Sequence, residues 1–193
     1  MPVHVSLFRG INVGGHRVIA MSALRSLHEE LGFSGVTSYI QSGNVIFQSP
    51  RSGPEALASL IEKKVEETFG FPVTVVVRTS AALAGVIAKN PFAGRRNIDE
   101  RRLAVMFLQS PPAPARVKEL AAAAPEGADE FHVTGDSMYL SCPNGFGKTL
   151  LTNAFFEKHL QVRGTARNWK SVIAIRAMMS PPAATPARTA GRS

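Results

Sequence analysis

A chain of 193 residues that is 45% hydrophobic can bury one ordinary core or two small ones, because single domains commonly hold roughly 100 to 200 residues. No apolar run approaches the roughly 18 residues that span a bilayer, and Met1-Pro-Val-His-Val-Ser6 lacks the basic stretch and apolar core of a secretory signal, so a cytoplasmic protein with no membrane contact is expected. The formal charge of +8 is lopsided: residues 1–142 hold 14 basic and 13 acidic side chains, whereas residues 143–193 hold eight basic ones against Glu157 alone, a field that attracts polyanions without specifying one.

Along the chain, Val3, Val5 and Leu7 alternate as in a half-buried strand. Met21, Leu24, Leu27 and Leu31 recur at helical spacing up to Gly32, with His28 interrupting the stripe. Two short strands, Val36 to Gln41 and Asn44 to Ser49, are expected to form a hairpin through Ser42-Gly43. Pro54 opens a helix that carries Leu57, Leu60, Ile61, Val65 and Phe69 on one stripe, and Gly70 ends it before a strand from Val73 to Arg78.

This βαββαβ order is the ferredoxin-like arrangement of two interlocked right-handed crossovers. A connecting helix from Ala81 to Lys89 and a Pro- and Gly-containing loop follow, which puts the boundary between halves near residue 94. Leu103 to Leu108 is continuously apolar, as in a strand covered on both faces. A helix from Pro111 to Ala124, a hairpin through Gly135-Asp136, a helix after Gly147 and a last helix starting after Thr165 complete the second half as βαββα with one extra helix. The expected fold class is thus α+β with two related ferredoxin-like halves, residues 1–94 and 95–179, and a disordered tail over 180–193.

In such a fold the first two strands run parallel, so the loop Arg9 to Gly15 and the bend Tyr39 to Asn44 project from the same edge. Gly10, Gly14 and Gly15 would let backbone amides approach a ligand, Arg9 adds charge, and Asn12, Gln41, Ser42 and Asn44 offer directional hydrogen bonds. Arg167 and Asn168, read as the first turn of a helix capped by Thr165, add donors where the helix dipole favours anions. The alternative is that the glycines only shape turns and Asn12 and Asn44 cap backbone groups. Trp169, the single tryptophan, suits a packing anchor better than a base-stacking platform.

No catalytic or metal constellation emerges, and no cofactor motif. Gly10-x-x-x-Gly14-Gly15 is not a dinucleotide fingerprint, and Gly147-Lys148-Thr149 lacks the earlier glycine of a P-loop because Cys142 stands there. Cys142 has no second cysteine for a disulfide or a Cys-x-x-Cys site. If Gly135-Asp136 is a two-residue turn, His132 faces Tyr139 and lies roughly 10 Å from Cys142, too far to share a proton. Only Phe8 and Phe47 could stack bases on the first sheet, which argues against sequence-specific RNA reading.

Phe8-Arg-Gly-Ile-Asn-Val-Gly-Gly15, Tyr39-Ile-Gln-Ser-Gly-Asn-Val45, Leu151-Thr-Asn-Ala-Phe-Phe-Glu157 and Thr165-Ala-Arg-Asn-Trp-Lys-Ser171 together resemble a bacterial domain-of-unknown-function family, number 1697, over about residues 3 to 179. The resemblance implies an α+β protein of two ferredoxin-like halves and carries no assigned activity or catalytic residue. Three readings of the loop edge follow. It binds a phosphate-bearing or otherwise anionic ligand, such as a nucleotide or nonspecifically held nucleic acid; it serves a small-molecule metabolic enzyme; or it belongs to a structural or partner-binding module without a ligand.

Overall fold

The computed structural model describes residues 1–51 and 53–180; of the tail expected over 180–193, residues 181–193 lie outside the described residues. The N-terminal half runs β1 (Val3–Phe8), α1 (Met21–Glu30), β2 (Ser34–Ser38), β3 (Asn44–Gln48), α2 (Pro54–Phe69) and β4 (Val75–Thr79), followed by α3 (Ser80–Ala88). The C-terminal half repeats it with β5 (Leu103–Leu108), α4 (Pro114–Ala123), β6 (Glu130–Thr134), β7 (Ser137–Ser141), α5 (Asn153–Leu160) and β8 (Gly164–Asn168), followed by α6 (Trp169–Met178). Each half forms a four-stranded antiparallel sheet, in the orders β2-β3-β1-β4 and β6-β7-β5-β8.

The second half therefore contains a strand that the sequence reading assigned to a helix. Thr165 to Asn168 pairs with β5 from Leu108↔Gly164 to Ala104↔Asn168, so Thr165 is a strand residue. The cap of α6 is Asn168, whose side chain accepts from the Ser171 amide at 2.8 Å. The reason is the demand of β5: without β8 its outer row of backbone groups would face no partner. Likewise α5 starts only at Asn153, held by the Thr152 hydroxyl, so Leu150 and Leu151 precede the helix. The first hairpin closes through the five residues 39–43.

Three apolar layers stack through the molecule. The outer two pack helices on sheets: Leu24 and Leu27 of α1 with Leu57, Ile61 and Val65 of α2 against the first sheet, and Leu120 of α4 with Phe156 and Leu160 of α5 against the second. The inner layer joins the halves. Val5, Leu7 and Val76 meet Val105, Phe107 and Tyr139, flanked by Leu83 and Val86 of α3 and by Trp169, Val172 and Ile175 of α6. All six residues of β5 are buried, with Leu103, Val105 and Phe107 in the inner layer and Ala104, Met106 and Leu108 in the outer one. The Tyr139 hydroxyl donates to the Val86 carbonyl at 2.9 Å across the halves, and burial pushes its pKa up to about 12.

The two halves share one register. Val5 lies opposite Arg78 and Val105 opposite Arg167; the Phe8 amide donates to Gly43 O and the Leu108 amide to Asp136 O, both at 2.9 Å. Equivalent residues reach across. Glu62 accepts from the Val75 amide at 2.7 Å and from Gln109 at 3.3 Å, while Glu157 accepts from the Gly164 amide at 3.1 Å and from Arg9 at 2.7 Å.

His28 sits fully buried on the apolar face of α1. Its Nδ1 donates to the Leu24 carbonyl at 2.7 Å and its Nε2 accepts from the Ser6 hydroxyl at 2.9 Å, among the rings of Phe8, Phe33 and Phe47. Burial lowers its pKa from 6.5 to about 4, and burial also lowers that of His4. Because the folded state resists protonating His28 while the unfolded state does not, stability is unaffected by this group above pH 6.5 and falls as the pH drops from 6.5 toward 4. Urea unfolding should register a loss of about 3 kcal/mol from His28 across that window. His28→Gln should show a shallower dependence, and an unchanged slope would disprove the assignment.

Candidate functional site

The two glycine-containing loops meet as their strand directions require. Asn12 ties the first loop to the second: its Nδ2 donates to Gln41 O and to Ile19 O, both at 2.9 Å, and its Oδ1 accepts from the Ile19 amide at 2.8 Å. Phe8 and Ile11 fill the space beneath Gly43. A Cβ at Gly43 would stand 2.8 Å from Phe8 Cβ and 2.7 Å from Ile11 Cδ1, and its φ of +73° is unfavourable for any side chain. Backbone strain gathers here: Asn12, Arg17 and Ile40 adopt φ of 57°, 50° and 48°. Asparagine tolerates this region, whereas a β-branched isoleucine does so at a cost.

Arg167 of β8 reaches this meeting point from the other half. Its Nη2 donates to Phe8 O at 2.8 Å, Ser42 O at 3.0 Å and Gly43 O at 3.2 Å, and its Nη1 donates to Thr165 Oγ1 at 2.7 Å and Ala166 O at 2.8 Å. Its Nε donates to Asn44 Oδ1, and the Asn44 Nδ2 donates in turn to Tyr39 O and Ser42 Oγ, both at 3.0 Å. Arg167 is 8% exposed and burial lowers its pKa to about 10, so its guanidinium stays charged at neutral pH. Neutral oxygens accept every one of these bonds. Its counterpart in the register, Arg78, differs: Nη2 donates to Leu108 O at 2.6 Å and also lies 2.9 Å from the Asp136 carboxylate.

Above Arg167 lies a hollow of about 390 Å³. Of the candidate ligand residues, Gly10, Ser42, Arg167 and Asn168 line it. The others do not. Asn12 and Asn44 have their side chains engaged by the loops themselves. Arg9 is paired with Glu157 at 2.7 Å and lines a different hollow. Gly14, Gly15 and Gln41 are exposed outside it. The donors of Asn12, Asn44 and Arg167 are directed at oxygens of the turns and strand ends within the protein. Asn153, at the start of α5, and Ser171, in the first turn of α6, line the hollow and were missed. Their helix starts can be read from the sequence, but their convergence on loops more than 100 positions away cannot.

Among the described residues no Asp or Glu lines this hollow, whereas carboxylates line four other hollows. Its walls offer the hydroxyls of Ser42 and Ser171, the amides of Asn153 and Asn168, and the positive field of Arg167, which together suit an anion. Two potentially nucleophilic groups elsewhere are shielded. Cys142 is buried, and burial raises its pKa, which disfavours the thiolate. His132 lies opposite Tyr139, as the two-residue turn requires, and Ser6 with His28 is sealed from solvent. Among the described residues, no group of three or more His, Cys, Asp or Glu could hold a metal ion, and no helix is long and apolar enough to cross a membrane.

Two substitutions test this construction by urea unfolding. Gly43→Ala should cost about 2 to 4 kcal/mol, from its left-handed φ together with overpacking against Ile11 and Phe8. Asn44→Ala leaves Arg167 Nε and Tyr39 O without their partner and should cost about 1 to 3 kcal/mol. A neutral result for either would mean that the turn is not held by these contacts.

No curated protein matches the chain. Among solved structures, a conserved bacterial protein from Streptococcus pneumoniae is 22% identical and superposes with a TM-score of 0.73 over 93% of this chain and 99% of that one, a likeness of fold. The family model described as Protein of unknown function (DUF1697) matches residues 1–139, a span holding both the Arg9 to Gly15 loop and the Tyr39 to Asn44 bend. With both loops inside the matched span and the duplicated architecture around them, the chain belongs to the DUF1697 family.

Proposed function

We propose that the protein binds a small anionic ligand, through a phosphate or carboxylate group, in the hollow over Arg167. The observation that carries this reading is electrostatic. Among the described residues, a buried guanidinium with no carboxylate partner underlies a hollow with no carboxylate in its walls, while the equivalent Arg78 is paired with Asp136. An anion about 5 Å from a unit cation gains on the order of 3 kcal/mol at an effective dielectric of about 20, before desolvation is counted. Because its own N–H groups are engaged by Phe8, Ser42, Gly43, Asn44 and Thr165, Arg167 supplies field, not contact. Direct contacts come from the rim: the Ser42 and Ser171 hydroxyls and the amides of Asn153 and Asn168.

Asn168→Asp separates charge from fold, since aspartate caps a helix as well as asparagine does but sets a negative charge at the rim. Inorganic phosphate should raise the melting temperature of the unaltered protein in a concentration-dependent way. The variant should melt no lower without ligand and should lose that rise. An equal rise in both proteins would defeat the proposal.

A further inference from the structure

We infer that the anion bound over Arg167 carries an aliphatic body and is not a nucleotide. This inference rests on the anion reading above and concerns the other wall of the same hollow. Val13 and Ile40 line that wall and remain 66% and 52% exposed. Single exposed aliphatics are common on protein surfaces, but these two come from different loops and converge on one rim, above the buried Ile11 and Phe8.

Ile40 is doubly disfavoured where it stands. It exposes a branched aliphatic side chain, and it does so at φ 48°, a left-handed conformation that asparagine or glycine would adopt more readily. An unfavourable backbone state combined with an unfavourable surface points to a role in recognition, since such strain collects at ligand sites. The duplicated counterpart supports the link. The hollow of about 310 Å³ around Arg78 contains the counterion Asp136, and its valines, Val75, Val76 and Val77, are at most 2% exposed. Among the described residues, an arginine without a carboxylate partner and exposed branched aliphatic side chains thus occur together in one hollow, whereas the other has the counterion and no exposed branched aliphatic.

The nature of the wall selects the ligand's body. Bases are held by stacking on exposed aromatic or guanidinium planes. The one ring in this hollow, Phe8, is 1% exposed, and Arg167 is only 8% exposed with its N–H groups taken up by protein oxygens. Branched aliphatic walls instead cover an alkyl or acyl chain, whose burial is favourable in proportion to its apolar area. A volume of about 390 Å³ falls in the range of small-molecule sites.

Calorimetric titration of the full chain with inorganic phosphate, n-hexyl phosphate and adenosine monophosphate tests the inference. Hexyl phosphate should bind about tenfold or more tightly than inorganic phosphate, and more tightly than the nucleotide. Ile40→Asn should erase the advantage of the hexyl chain, leave inorganic phosphate binding unchanged and raise the melting temperature of the free protein. Tighter binding of the nucleotide, hexyl phosphate binding no tighter than inorganic phosphate, or a hexyl advantage that survives Ile40→Asn would overturn the aliphatic assignment while leaving the anion site standing. Binding of none of the three would overturn both.

Discussion

A guanidinium buried without a carboxylate has to be held by neutral oxygens, and the organisation of one end of this protein follows from that requirement at Arg167. Its donors take the carbonyls of Phe8, Ser42 and Gly43, which lie at the end of β1 and in the turn between β2 and β3, and the side-chain oxygen of Asn44. For those carbonyls to converge, the turn must pass through left-handed backbone at Ile40 and Gly43 and press its glycine onto Ile11 and Phe8. The interaction also ties β8 to β1, so it belongs to the joining of the halves as much as to the shape of the loop. Removing a buried charge's partners is costly in a way that removing an exposed ion pair is not. The exposed pairs Lys63–Glu67 and Arg116–Glu119 therefore have little bearing on this arrangement.

The two halves have the same topology, so each serves as a control for the other. Arg78 and Arg167 occupy equivalent register positions on β4 and β8, and each crosses to the end of the first strand of the opposite half. Glu62 and Glu157 likewise receive equivalent amides and equivalent residues following β1 and β5. Against this shared frame the differences stand out. Where the second hairpin has Asp136, the first has Gly43, and one change converts a neutralised arginine into a source of field. The same scaffold thus presents two hollows of opposite electrostatic character.

Much of this was legible along the chain, because it depends on local rules. The apolar run Leu103 to Leu108 announced a doubly covered strand, Pro54 and Gly70 bracketed a helix, and Gly135-Asp136 marked a tight hairpin, each through conformational preferences carried by a few neighbouring residues. The meeting of the two loops was also legible, since strand direction in a ferredoxin-like unit decides which edge a loop leaves. Thr165 to Asn168 was misread because a charged residue at an inward-facing strand position breaks the alternation by which strands are recognised. Only the carbonyls of the opposite half, brought near by folding, make that burial tolerable.

The sequence by itself determined the α+β class, the repeated half, the family and the neighbourhood of the two loops, since all of these follow from periodicity, turn chemistry and motif spacing. Which polar groups line the hollow and which hold the protein together was decided only in three dimensions. Asn12, Asn44 and Arg167 look the same on paper as Ser42, Asn153 and Asn168, and the difference lies in whether a backbone carbonyl stands within hydrogen-bonding distance. For Arg167 that proximity is set by chain segments more than 100 residues apart, packed by an inner layer to which both halves contribute.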